Sequence, residues 1–196
     1  MCPPTEVISE AIADRPTTTG THADSMSGFV WSYEEYRRMH EEAEMRDRMS
    51  VVEKDAFRVL GVDEDIEKVA PGFMDVWGRF SSRAEEITQL SVDGAHYGMF
   101  YDSGTGGRYL AGMAVAANTS PPEGVIALDI AAATYAVFQT TLGDIGSEDF
   151  ATWLPTEGLE SDASKPQFDF HPPGTTEAFN GGEDPVISVW IPAKHK

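Results

Sequence analysis

The chain has 196 residues, of which 41% are hydrophobic, enough for one domain with a true core and some additional sequence. Its 33 acidic residues face 14 basic ones, a formal charge of −19. That balance argues against direct binding to nucleic acid or to an anionic membrane surface, both of which are held by clustered Lys and Arg. The single cysteine, Cys2, excludes an intramolecular disulfide. No apolar run reaches the length of a membrane span and no signal-peptide pattern opens the chain, so the cytoplasm is the expected compartment.

The predicted elements fall into three segments. Residues 1–28 are rich in Thr, Pro, Ser and acids, with little to bury, and read as a disordered tail. Residues 29–54 read as an appended, mostly charged helix. It opens on Ser32-Tyr33-Glu34-Glu35, in which the Ser32 hydroxyl and the Glu35 carboxylate can satisfy each other's free N–H groups. From residue 55 to 196 the pattern is that of a folded domain. Residues 57–62 read as a strand. Residues 71–89 read as a helix, because Phe73, Trp77, Phe80, Ala84 and Ile87 recur on one face. Two strands, 95–101 and 109–116, are joined by the glycine-rich link 103–107, and strands over 124–130 and 133–140 follow the Pro121-Pro122 pair. A short helix is expected over 146–153 with Ser147 as N-cap, strands over 167–171 and 186–191, and a mobile loop over 172–185. A strand–helix–strand–strand unit therefore occurs twice, over 57–116 and 133–191. Antiparallel strands with few helices imply an α+β fold, a curved sheet with helices on one face and a groove on the other.

The chemistry-bearing residues are sparse. The five histidines lack metal-ligand spacing, so neither a metal nor a cofactor is expected. No G-x-S-x-G elbow is present and Cys2 lies in the tail, so no catalytic nucleophile is assigned. Aromatic residues say more. Strand alternation puts Tyr97, Met99 and Tyr101 on one face, Tyr109 with Ala111 and Met113 on one face, and Ser188 with Trp190 opposite Ile187, Val189 and Ile191. Those aromatics are candidates for an apolar pocket with polar rims.

The same segments resemble the GyrI-like small-molecule-binding domain, the effector-binding module of AraC-type transcription activators. Trp153-Leu154-Pro155-Thr156-Glu157-Gly158-Leu159-Glu160 is similar to its W-L-P-x-S-G-Y-E stretch. Pro166-Gln167-Phe168-Asp169-Phe170 is similar to its P-x-F-E-x-Y, and Val189-Trp190-Ile191-Pro192-Ala193-Lys194 to its terminal I-W-I-P-V-K. Tyr135-Ala136-Val137-Phe138, Tyr97-Gly98 and Tyr109-Leu110-Ala111-Gly112 match further positions in order. The resemblance implies two β-α-β-β halves about a pseudo-twofold axis and a ligand groove between them. It implies a stand-alone protein that binds an aromatic or drug-like effector in sensing, transcriptional regulation or sequestration.

The expected ligand-binding residues are Tyr97, Tyr109, Trp153, Phe170, Ser188 and Trp190. Ser188 stands where the family's pocket carries a glutamate, which argues against catalysis and for a neutral aromatic ligand. Two alternatives are a hydrolase of reactive small-molecule toxins and a protein-interaction module that meets gyrase or a regulator. A carboxylate in contact with Tyr97 or Trp190 would favour the hydrolase.

Overall fold

In a computed structural model the described residues are 32–69 and 72–196. The segment 1–28, read as a tail, lies outside them. The charged helix, α1 (Tyr33–Arg48), opens on the expected reciprocal cap. The Ser32 N–H donates to Glu35 Oε2 at 2.8 Å and the Glu35 N–H to Ser32 Oγ at 3.1 Å. The reading of 29–54 as helix stops there. Met49–Lys54 is a strand, β1, which joins the main sheet at its edge. Its Val51-Val52 pair has the β-branched character that a half-buried edge accepts.

The remaining strands are β2 (Phe57–Asp65), β3 (Ser91–Asp102), β4 (Gly107–Val115), β5 (Ile126–Ile130), β6 (Ala133–Thr141), β7 (Leu159–Ser161), β8 (Gln167–His171) and β9 (Val186–His195). The sheet runs β1-β6-β9-β8-β3-β4-β2-β5, with β7 beside β9, and every pairing is antiparallel. This order is a palindrome in the two predicted units. In the first, β2-β4-β3 carries β5 on its outer edge. In the second, β6-β9-β8 carries β1. They meet where β3 pairs β8, His96 opposite His171 and Phe100 opposite Gln167.

The helices lie over one face. α2 (Ile66–Val69) follows β2. The predicted helix 71–89 is divided into α3 (Met74–Ser81) and α4 (Ala84–Thr88). At the break the Ser82 hydroxyl donates to the Arg79 carbonyl at 2.6 Å, a local bond that competes with the helix ladder. Val76 and Phe80 of α3 and Ile87 of α4 are still buried against Leu60, Ala111 and Met113.

In the second half the expected helix 146–153 is a 3₁₀ helix, Phe150–Glu157. Its cap is Asp149, whose carboxylate accepts from the Ala151 N–H, rather than Ser147. Phe150 and Leu154 cover Phe138, Val189 and Ile191. The span 172–185, expected as a mobile loop, contains α5 (Thr175–Asn180).

Two glycines crease the sheet. Gly61 of β2 faces Gly112 of β4 in register. A Cβ on Gly61 would stand 2.3 Å from the Ala111 carbonyl oxygen, and one on Gly112 2.4 Å from that of Leu60. Neither backbone would approach so closely past a side chain.

Candidate functional site

The face away from the helices carries an aromatic cluster. Val59, Tyr97, Met99, Leu110, Tyr135, Val137 and Phe168 are buried there, and Phe57, Phe170 and Trp190 pack on them half-buried. Four of the predicted residues meet on this face by strand register. Tyr97 is paired with Phe170, Phe170 with Ser188, and Trp190 follows two residues along β9. The Trp190 and Phe168 rings stack, with centroids 5.2 Å apart and planes 16° apart. Tyr97 meets Phe170 edge-on at 5.4 Å.

The curvature is visible in Phe57. β2 lies three strands from β8, about 14 Å on a flat sheet. Even so, the Phe57 ring is 5.8 Å from Phe168 and 5.7 Å from Tyr97. The glycine crease between β2 and β4 brings the outer strands inward.

Polar groups are few on this face. Ser188, 6% exposed, accepts a hydrogen bond from Trp190 Nε1 at 2.9 Å, which leaves its own O–H as a donor. Tyr97 donates to Asp93 Oδ2 at 2.7 Å, and burial together with that bond holds the phenol well above its ordinary pKa. Asp93 itself is exposed and braces the bend before Ala95, whose N–H it also accepts. Farther along, Tyr101 donates to Asp63 at 2.6 Å, and Arg108 pairs with Asp63 and Asp65. At the edge, the Lys54 ammonium stands 4.5 Å from the centre of the Phe57 ring and 5.1 Å from that of Trp190.

Tyr109 and Trp153 are not brought to this face. Tyr109 belongs to the core under α3, where its hydroxyl accepts from Trp77 Nε1 at 3.0 Å and Phe73 lies 4.2 Å from its ring. Its strand-mates Ala111 and Met113 form the floor that Val76 and Phe80 need, so the parity was correct and the side reversed. Trp153 lies on the 3₁₀ helix, half-buried in the second helix-side core, and donates to Glu148 at 3.1 Å. Sequence reasoning missed Phe57, Phe168, Tyr135, Asp93 and Lys54. For Phe168 and Tyr135 the signal was present, since they alternate in phase with Phe170 and Val137.

The helix side carries its own buried polar groups. Asp169 is 7% exposed, and burial pushes its carboxyl up to about 7. His171 is 9% exposed, its Nε2 has no hydrogen-bond partner, and burial pulls its pKa down to about 4. Its ring lies 5.3 Å from Trp77. Nearby, a cleft of about 400 Å³ is lined by Trp77, Phe80, His96, Met113, Thr176 and Glu177 among others. Among the described residues no group of three or more His, Cys, Asp or Glu could hold a metal ion. No helix among them is long and apolar enough to cross a membrane.

The architecture has relatives of known structure. SAV2435, in a structure bound to tetraphenylphosphonium, matches with a TM-score of 0.60 at 13% identity over 74% of this chain and 93% of that one. The C-terminal domain of EcmrR, a protein also seen in complex with DNA, matches with a TM-score of 0.54 at 10% identity over 76% and 98%. A hydrolase from Listeria innocua matches with a TM-score of 0.51 at 8% identity over 81% and 97%. At these identities the likeness is one of fold. A comparison with curated protein sequences finds no match. Residues 50–193 match the family model of the integron-associated effector binding protein Cass2, a span that starts within β1 and takes in both halves of the sheet. The chain therefore belongs to the Cass2 family of effector-binding proteins and has the GyrI-like fold.

Proposed function

We propose that the protein is a small-molecule binder and that the aromatic face away from the helices receives the ligand. The observation that carries this is the cluster of Tyr97, Phe168, Phe170 and Trp190, held in register across three adjacent strands beside one buried hydroxyl, Ser188. The half-buried rings of Phe170 and Trp190, backed by the buried Tyr97 and Phe168, offer contact to a flat aromatic guest, and Ser188 can donate one orienting hydrogen bond. Where the family pocket carries a glutamate this face has the neutral hydroxyl of Ser188, so that position adds no charge to recognition. The family and the tetraphenylphosphonium-bound relative support the reading. The role that follows is sensing or sequestration. With −19 net charge the chain is not expected to hold DNA by itself.

The test uses N-phenyl-1-naphthylamine, a neutral fluorescent aromatic. Its emission is expected to rise on binding, and Trp190→Leu and Phe170→Ala should each weaken that binding about tenfold, the loss of one buried ring contact. Trp153→Leu should leave it unchanged. Weakening by Trp153→Leu with no effect of the other two would place the site on the helix side and end this reading.

The hydrolase reading keeps one observation in its favour, the Asp93 carboxylate on the Tyr97 hydroxyl. Turnover of 4-nitrophenyl acetate that is abolished by Asp93→Asn would establish it over simple binding.

A further inference from the structure

The aromatic face already contains a cation. Lys54 is the last residue of β1, and its ammonium lies over two rings of different strands, Phe57 and Trp190, at 4.5 and 5.1 Å. Both distances are within the roughly 6 Å at which a ring quadrupole attracts a cation. Among the described residues no carboxylate is within ion-pair distance of Lys54. Asp93 and Asp55 act on it only at longer range. The side chain is half-buried, and burial draws its pKa below the ordinary lysine value. The rings are thus the ammonium's nearest partners, with Asp93 and Asp55 farther off.

We propose that Lys54 is a tethered cation that sets the ligand class of this site: it occupies the place over Trp190 and Phe57 that a lipophilic cation would take, so the face selects aromatic anions. The proposal rests on the aromatic face being the ligand site. A cationic guest must displace the ammonium from both rings or sit beside a like charge. A guest with an aromatic body and a carboxylate or sulfonate instead supplies a contact counter-ion, which the more distant Asp93 and Asp55 do not, while its rings lie on the half-buried Phe170 and Trp190. Ser188, with a free O–H and no charge, opposes neither arrangement. The overall negative charge draws cations at long range, but at 0.15 M salt exposed charges beyond about 8 Å are largely screened. The contact pair then decides.

Tetraphenylborate and tetraphenylphosphonium have nearly the same shape and opposite charge. Titrated calorimetrically at 0.15 M salt, the parent protein is expected to bind tetraphenylborate at least tenfold more tightly than tetraphenylphosphonium. Lys54→Met should lose that preference and gain about tenfold for the phosphonium. Lys54→Arg, which keeps a cation over the rings, should retain it. A parent that prefers tetraphenylphosphonium, or a preference unchanged in Lys54→Met, overturns the role of Lys54 and leaves the binding site standing. If neither ion binds any of the three proteins, the aromatic face as ligand site fails, and the role of Lys54 with it.

Discussion

Gly61→Ala should destabilise the protein by at least 3 kcal/mol, a large fraction of the ~5–15 kcal/mol that holds a typical domain together. The added methyl would stand 2.3 Å from the Ala111 carbonyl oxygen and 2.9 Å from both the Ala111 carbonyl carbon and the Gly112 Cα. All three are backbone atoms of the neighbouring strand, so no side chain can turn aside to relieve the overlap. Relief requires β2 and β4 to part at the Gly61–Gly112 pair, which opens the crease and withdraws Phe57 from Tyr97 and Phe168. At ~2–4 °C per kcal/mol for a chain of this size, the melting temperature should fall by roughly 10 °C. Gly78→Ala is the internal control. That glycine is in α3 with nothing within 4 Å of the new methyl, and alanine there should stabilise by about 0.5–1 kcal/mol. Equal melting temperatures for the two variants would show that the sheet is not creased where the glycines meet.

Asp169→Asn should stabilise the protein at pH 8 by roughly 2–4 kcal/mol and change little near pH 4. The buried Asp169 carboxyl keeps its proton up to about pH 7 in the folded chain, against an ordinary value of 3.8. A raised folded-state pKa gives stability that is complete below the unfolded value and is lost as pH rises through the folded one. Three pH units at 1.36 kcal/mol each set a span of about 4 kcal/mol. Asparagine has nearly the same shape and no charge to desolvate, so it escapes the loss.

His171, on the same strand face, has the opposite sign. Its folded pKa is depressed to about 4 from 6.5. Stability is therefore present above pH 6.5 and lost as pH falls toward 4, by about 3 kcal/mol. In the parent the two slopes oppose each other between pH 4 and 6.5. In Asp169→Asn the histidine is unmasked, and stability should climb by about 3 kcal/mol over that window. Urea unfolding at pH 4.5, 6.5 and 8 reads all of this. An asparagine variant less stable than the parent at pH 8 would mean that the carboxylate is held ionised by a partner.

Much of the architecture was legible because the strands are short apolar runs bounded by turn residues, which marked β2, β3, β4, β6, β8 and β9. Burial along them is largely continuous, as in β4 and β6, because clusters pack on both faces of the sheet, and strand alternation serves only to assign residues to a face. The grouping of Ser188 with Trp190, opposite Val189 and Ile191, came from the same rule. Alternation says which residues share a face but not which face the helices take. That is why Tyr109 was assigned to the groove, although α3 had to cover its row. Trp153 had no strand period to place it. β1 was hidden because Met49–Lys54 continues a charged helical stretch, and only its pairing with β6 shows it as a strand. Lys54 was hidden with it. The division of the 71–89 helix and the fold of 172–185 depend on single side-chain bonds, such as Ser82 to Arg79 and Thr175 to the Pro172 carbonyl, which leave no periodic signal.

The four tryptophans offer the most direct test of where the ligand binds. Trp190 marks the aromatic face, while Trp77 and Trp153 mark the two helix-side cores. Protein labelled with 5-fluorotryptophan gives separate ¹⁹F resonances, assigned by replacing each tryptophan in turn. On titration with N-phenyl-1-naphthylamine or tetraphenylborate, the Trp190 resonance should shift strongly, through ring contact, while those of Trp77 and Trp153 stay in place. A shift of Trp77 with Trp190 unmoved would put the ligand in the cleft beside His96, and the account of the aromatic face would be contradicted.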